Sequence, residues 1–137
     1  MDFPRILLAA ALAFVAYFAV GGLFFVGLPM LRREFEKYPA VYRTGDAINK
    51  VMPFGMVTMF IAMLVLAHLF VMCHIHGSPL ERGLTFGAMI GVFFDCVFVA
   101  HNYVNLNIGA KLSAQQAVAY FIEWLVVGIT LGLVIGG

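Results

Sequence analysis

Four long apolar runs, each ended by a cluster of polar or turn-forming residues, set the pattern of this chain. They extend from about Ile6 to Met30, from Val51 to Met72 with a last turn reaching His76, from Gly83 to Leu106, and from Ala114 to Ile135. Each supplies the roughly 20 apolar residues that a helix needs to cross a bilayer core. Residues 31–50 form the only long connection. Gly77-Ser78-Pro79 and the Asn107 to Ser113 segment are tight reversals, which predicts spans two, three and four as sequential antiparallel neighbours. The expected fold is all-α: one domain, residues 1–137, forming an antiparallel bundle of four transmembrane helices. The apolar stretch after Arg5 is longer than the roughly 7–15 residues of a secretory signal core, so it is read as a span.

Composition narrows the class. The chain is 64% hydrophobic and 11% charged, with mean hydropathy +1.01, against about 45–50% apolar and about 25% charged in soluble domains. Its 137 residues hold one bundle and leave no room for a separate soluble catalytic domain. A net charge of +1 provides no basic face for nucleic acid, so the expected surroundings are the lipid bilayer. Arg32, Arg33, Lys37, Arg43 and Lys50 lie in the long connection and Lys111 in the last one, against Arg5 and Arg82 on the other side. The positive-inside rule then places the 31–50 loop in the cytoplasm and both termini outside, with a bacterial inner (plasma) membrane as the expected location, although Arg5 pulls the other way. Phe35, Tyr38, Val41 and Tyr42 give this basic loop an interfacial character, with a docking surface or gate as the sharper reading. Pro39 divides it, and Asp46 is placed to cap a helix continuing through Pro53.

Asp95 and Glu123 are the positions that demand a reason. A charge near the bilayer centre costs about 2.5–3.5 kcal/mol on insertion scales, so such residues face a bundle interior or a partner. At 100° per residue, Gly91, Asp95, Phe98, Asn102 and Asn105 share a face of span three, with His101 about a third of a turn away. Gln116, Tyr120, Glu123, Val127 and Thr130 share a face of span four. At about 1.5 Å per residue, Asp95 lies roughly 16 Å and Glu123 about 13 Å from the cytoplasmic ends of their spans, which predicts one shared polar layer. Three readings compete. The layer is an interhelical clasp through Asn102, Asn105 and a protonated carboxyl, a proton- or cation-linked ligand site, or an enzyme site with Asp95, Glu123 and His101 as acid and base groups but no nucleophile motif.

Gly128, Gly132 and Gly136 form a small-residue ridge about 140–220° around span four from Glu123. With Glu123 facing its own bundle, this ridge is expected to face another chain, giving a homo-oligomer or a partner membrane subunit through span four. Its alternative partner is span one at Gly21 and Gly22. Gly83, Gly87 and Gly91 make a similar ridge on span three, expected to pack within the bundle. On span two, Met52, Met56, Met59 and Met63 line up towards His74, with Cys73 and His76 beside it. Thioether and imidazole ligands suit Cu(I), and the line is similar to the methionine ladder of copper permeases, though flexible methionines also fill core gaps. His68 and His101 lie at different depths, roughly 27 and 8 Å from the cytoplasmic ends, so one haem cannot take both. A haem or pigment on a single histidine stays open, and Cys73 and Cys96 are too far apart for a disulfide.

The Gly87-x3-Gly91 ridge ahead of His101-Asn102-Tyr103-Val104-Asn105, with the closing Trp124-x3-Gly128-x3-Gly132 pattern, resembles uncharacterised small four-span bacterial integral membrane proteins. That resemblance covers spans three and four and implies a compact membrane bundle without transferring an activity. The expected role is binding or transport of a small solute or ion with protonation of a carboxylate. A non-catalytic accessory or assembly subunit of a larger complex is the alternative, and an enzyme acting on a lipid-soluble substrate the third.

Overall fold

In hydrocarbon every backbone N–H and C=O must be satisfied within the protein, and long apolar segments meet that demand as helices. The computed structural model describes residues 3–43 and 45–137. It contains four helices long and apolar enough to cross a membrane: α1 (Phe3–Gly27), α3 (Asp46–Met72), α4 (Pro79–Asn105) and α5 (Ala110–Gly136). A short helix, α2 (Pro29–Phe35), follows α1. No strand occurs among the described residues. The protein is an integral membrane protein built as an all-α bundle.

Local chemistry sets the ends. Leu28 is extended (φ −89°, ψ 111°) and Pro29 opens α2, so span one stops at Gly27 rather than Met30, because a proline ring disfavours helical geometry at the preceding residue. Span two begins at Asp46, behind Gly45 with φ 54°, and ends at Met72 rather than His76. His74 takes φ 44° and cannot continue the helix. Span three starts at Pro79 under a capping box: the Ser78 hydroxyl accepts from the Glu81 N–H, and the Glu81 carboxylate accepts from the Ser78 N–H. This pairing satisfies two of the otherwise orphaned donors at the helix start. Span four is a full turn longer at its start, beginning at Ala110.

Packing follows small residues. Gly83 and Gly87 of α4 lie against Gly128, Gly132 and the Trp124–Leu125 backbone of α5, and this is the most extensive helix interface. Ile6, Ala9, Ala10 and Ala13 make a buried stripe on α1, which packs on α5 and α3. Such short side chains allow close approach where the hydrophobic effect does not drive helices together. Met63, Ala67 and Phe70 are the buried face of α3. The bundle therefore runs α3, α1, α5, α4 in order of contact. The expectation that spans two and three pack as neighbours is corrected: α3 and α4 barely approach, meeting through the Phe70 and Phe86 rings (5.2 Å) and Arg82 over the Phe70 ring (5.4 Å). The reason is geometric. The glycine face of α4 is taken by α5, leaving only large side chains to reach α3.

Candidate functional site

α5 is the central helix, and Glu123 sits on its α1 side. The Glu123 side chain is 0% exposed, and neither carboxyl oxygen has a hydrogen-bond partner among the described residues. No basic side chain pairs with it among them. The space it occupies is created by Gly21, where a β-carbon would stand 3.0 Å from Glu123 Oε1. Tyr17 stands beside the carboxyl, and its ring lies 5.2 Å from Trp124. Immediately after Gly21, α1 changes to the wider π pattern over Gly22–Gly27. Such segments displace the backbone ladder and recur at functional positions.

The aromatic wall continues towards the loop end. Tyr120 contacts Phe25, Phe94 and Phe98 at 5.1, 5.0 and 5.8 Å, and Phe25 contacts Phe35, which contacts Tyr42 at 4.7 Å. Above this wall the 36–43 segment is keyed onto the start of α5. The Gly109 N–H donates to the Tyr38 hydroxyl (2.9 Å), and Gln116 Nε2 donates to the Tyr42 hydroxyl (3.3 Å). Glu34, only 5% exposed, accepts from Lys111 (2.6 Å) and Lys37 (2.7 Å). Hydrogen bonds from the Lys111 and then the Lys37 ammonium hold the Glu34 carboxyl below its usual range, against the opposing effect of desolvation. The loop expected to lie on the membrane surface is thus docked on α5 through buried Glu34 and Gln116 and half-buried Tyr38 and Tyr42. Local sequence does not mark Glu34, Tyr38 and Gln116 as the contacts of this docking, since only partners distant in the chain give them that role. The Tyr17–Gly21 contact with Glu123 is likewise long-range, although the Gly21-Gly22 pair marks where α1 permits close approach.

The predicted polar layer is not assembled. Gly87 lies against Trp124 and Leu125, and Gly91 against Phe121, so Asp95, one turn beyond, is level with about Ala117. That puts it roughly 9 Å along the axis from the level of Glu123. Asp95 is half-buried, and its Oδ1 has no hydrogen-bond partner among the described residues. Its helix passes through a second π segment, Asp95–Ala100, which in effect inserts one residue and rotates the downstream turns by about 100°. Asn102 is consequently only half-buried, whereas His101 and Asn105 are exposed, and Asn105 Nδ2 donates to the His101 carbonyl of its own helix (2.8 Å). Glu123, Gln116 and Val127 do share the buried face expected of α5.

The ridge of Gly128, Gly132 and Gly136 also has a different partner. Gly128 and Gly132 lie against Gly83 and Gly87, and Gly136 against Pro79 and Arg82, all on α4. The expectation of a face open to another chain is corrected, as is the alternative of Gly21 and Gly22. The methionine stripe is a packing face at one end only: Met63 is buried and Met59 half-buried, but Met56 is exposed. His74 turns its Nδ1 to the Met72 carbonyl (2.6 Å). Among the described residues no group of three or more His, Cys, Asp or Glu side chains stands together. His68 is exposed and bonded to the Leu64 carbonyl (2.8 Å). Comparison with family models, curated proteins and solved structures finds no match to this chain.

Proposed function

We propose that this protein binds or transports a small solute or ion through its bundle, with Glu123 taking up and releasing the accompanying proton. The observation that carries the reading is a fully buried carboxyl with no basic side chain paired to it among the described residues, in a space kept open by Gly21. An unpaired charge taken out of water costs several kcal/mol, so a closed site of this kind accommodates the protonated acid. Releasing the proton requires water, a cation or a conformational opening. That coupling between opening and protonation is the element a proton-linked carrier needs. The π segment of α1 beside Glu123 offers a place for such opening, because its ladder already departs from regular helix.

A second reading, a non-catalytic assembly subunit, draws on the same closure, since a dry interior is what a purely structural bundle also has. The two separate in proteoliposomes carrying an internal pH dye and challenged in turn with small organic cations, organic anions and monovalent metal ions. Solute-driven proton movement that disappears in Glu123→Gln, with the variant still folded, supports the carrier. Equal flux in wild type and Glu123→Gln refutes the role of this carboxyl, and absence of flux with stable co-purification of other membrane proteins supports the assembly reading. Carbonyl-stretch infrared spectra of the protein in lipid give an independent check: a protonated-acid band present in wild type and missing in Glu123→Gln is expected.

A further inference from the structure

At the loop end of the bundle, a cleft of about 500 Å³ opens between α1, α2, the side chains of Tyr42 and Arg43, and Gly45 and Ile48 at the start of α3. Its lining combines two chemistries. The rings of Phe25, Phe35 and Tyr42 interlock edge to face at 5.7 and 4.7 Å, giving an apolar surface suited to a flat hydrophobic body. Arg32 and Arg43 border the same cleft, with Glu36 as its only acid. Glu36 is engaged by Arg32 at 3.1 Å, and Arg43 has no ion pair among the described residues. One positive charge is left uncompensated beside an aromatic floor. A guanidinium binds a carboxylate through two parallel hydrogen bonds, and the volume lies within the roughly 300–1,000 Å³ of small-molecule sites.

We infer that this cleft is a binding site for an aromatic monocarboxylate, its ring on Phe25, Phe35 and Tyr42 and its carboxylate on Arg43. Side-chain contacts link the cleft to the helix that carries the buried acid. Phe25 contacts Tyr120, Tyr42 is held by Gln116, and Gln116, Tyr120 and Glu123 succeed one another along a single face of α5. The inference deepens the carrier reading by naming a cargo class and rests on it for passage inward, whereas binding in the cleft stands on its own lining.

Binding is measured with the full chain in phosphatidylcholine bicelles, using dansylglycine, a fluorescent aromatic carboxylate. Trp124, the only tryptophan, is the energy donor. Saturable sensitised emission is expected, displaced by 2-naphthoate and not by the uncharged 2-naphthalenemethanol. Arg43→Gln is expected to weaken it about tenfold or more, the loss that accompanies removal of a charge-assisted hydrogen bond. Arg33→Gln, which alters an α2 arginine outside the cleft lining, is expected to leave it unchanged. Unsaturable emission, equal binding in Arg43→Gln, or displacement by phosphatidylglycerol with no effect of 2-naphthoate overturns the inference, the last in favour of a lipid headgroup site. Loss of binding with proton flux still dependent on Glu123 tells against the cleft alone. Binding intact without such flux tells against the carrier reading alone.

Discussion

Alanine at Gly128 tests the central interface most sharply. A β-carbon there would press on the Gly83 carbonyl oxygen and stand 2.5 Å from the Gly87 N and Cα atoms, whereas ordinary van der Waals contact begins at 3.4 Å, so α4 and α5 must part by roughly 1 Å. A gap of about 0.5–1 Å already forfeits a quarter to a half of the dispersion well of each atom pair across it, and this is the most extensive interface of the bundle. The expected destabilisation is about 1–3 kcal/mol, the range for overpacking a well-filled core. In water, the helix preference of alanine over glycine offsets part of such a cost by about 1 kcal/mol. Separated spans in a bilayer remain helical, so most of that offset vanishes and the clash stands. Gly87→Ala, whose β-carbon would meet Trp124 O at 2.7 Å, should behave alike, while Gly55→Ala meets nothing within 4 Å and should stay within about 0.5 kcal/mol. Reversible unfolding in bicelles by titration with dodecyl sulfate provides the readout. Equal stability of Gly128→Ala and Gly55→Ala would refute the packing argument, and loss of an oligomer with unchanged monomer stability would return the ridge to an intermolecular role.

Three further outcomes are expected in other parts of the molecule. Met63, 0% exposed, and Met56, 42% exposed, should separate on alanine substitution, with a loss of about 2–5 kcal/mol at Met63 and little at Met56; equal, copper-dependent losses at both would favour a ligand ladder. The Glu34 carboxyl is held below the ordinary glutamate value of 4.5, so its contribution to loop docking is complete above that value and is lost as pH falls through the lower folded value. The protection of the Gly109 amide against hydrogen exchange, relative to its intrinsic rate at each pH, should fall over that acid window in wild type and lose this dependence in Lys111→Met paired with Lys37→Met. Ser78→Ala removes the capping box and should cost about 1 kcal/mol, read as faster exchange in the first turn of α4; unchanged exchange there would contradict the cap.

The contrast between α4 and α5 explains which parts of the site are legible in the sequence. Spacing arithmetic assumes a constant rotation per residue. α5 is regular throughout, so Gln116, Glu123 and Val127 fall together on a buried face as their spacing requires. α4 breaks the assumption at Asp95–Ala100, within a stretch containing neither glycine nor proline, and the polar residues beyond it leave the predicted face. The loop contacts of Glu34, Tyr38 and Tyr42 depend on partners more than 70 positions away, which no local pattern encodes. The glycine ridge differs again. Spacing alone gives its direction opposite Glu123, but opposite to an inward residue means outward only for a helix at the edge. α5 has α1 on its Glu123 side and α4 on its glycine side, and its span is the most buried of the four at 44%. A central helix has two inward faces, so the carboxyl and the ridge both belong to the interior, and displacing α4 by substitutions at Gly128 acts on the same helix that carries Glu123.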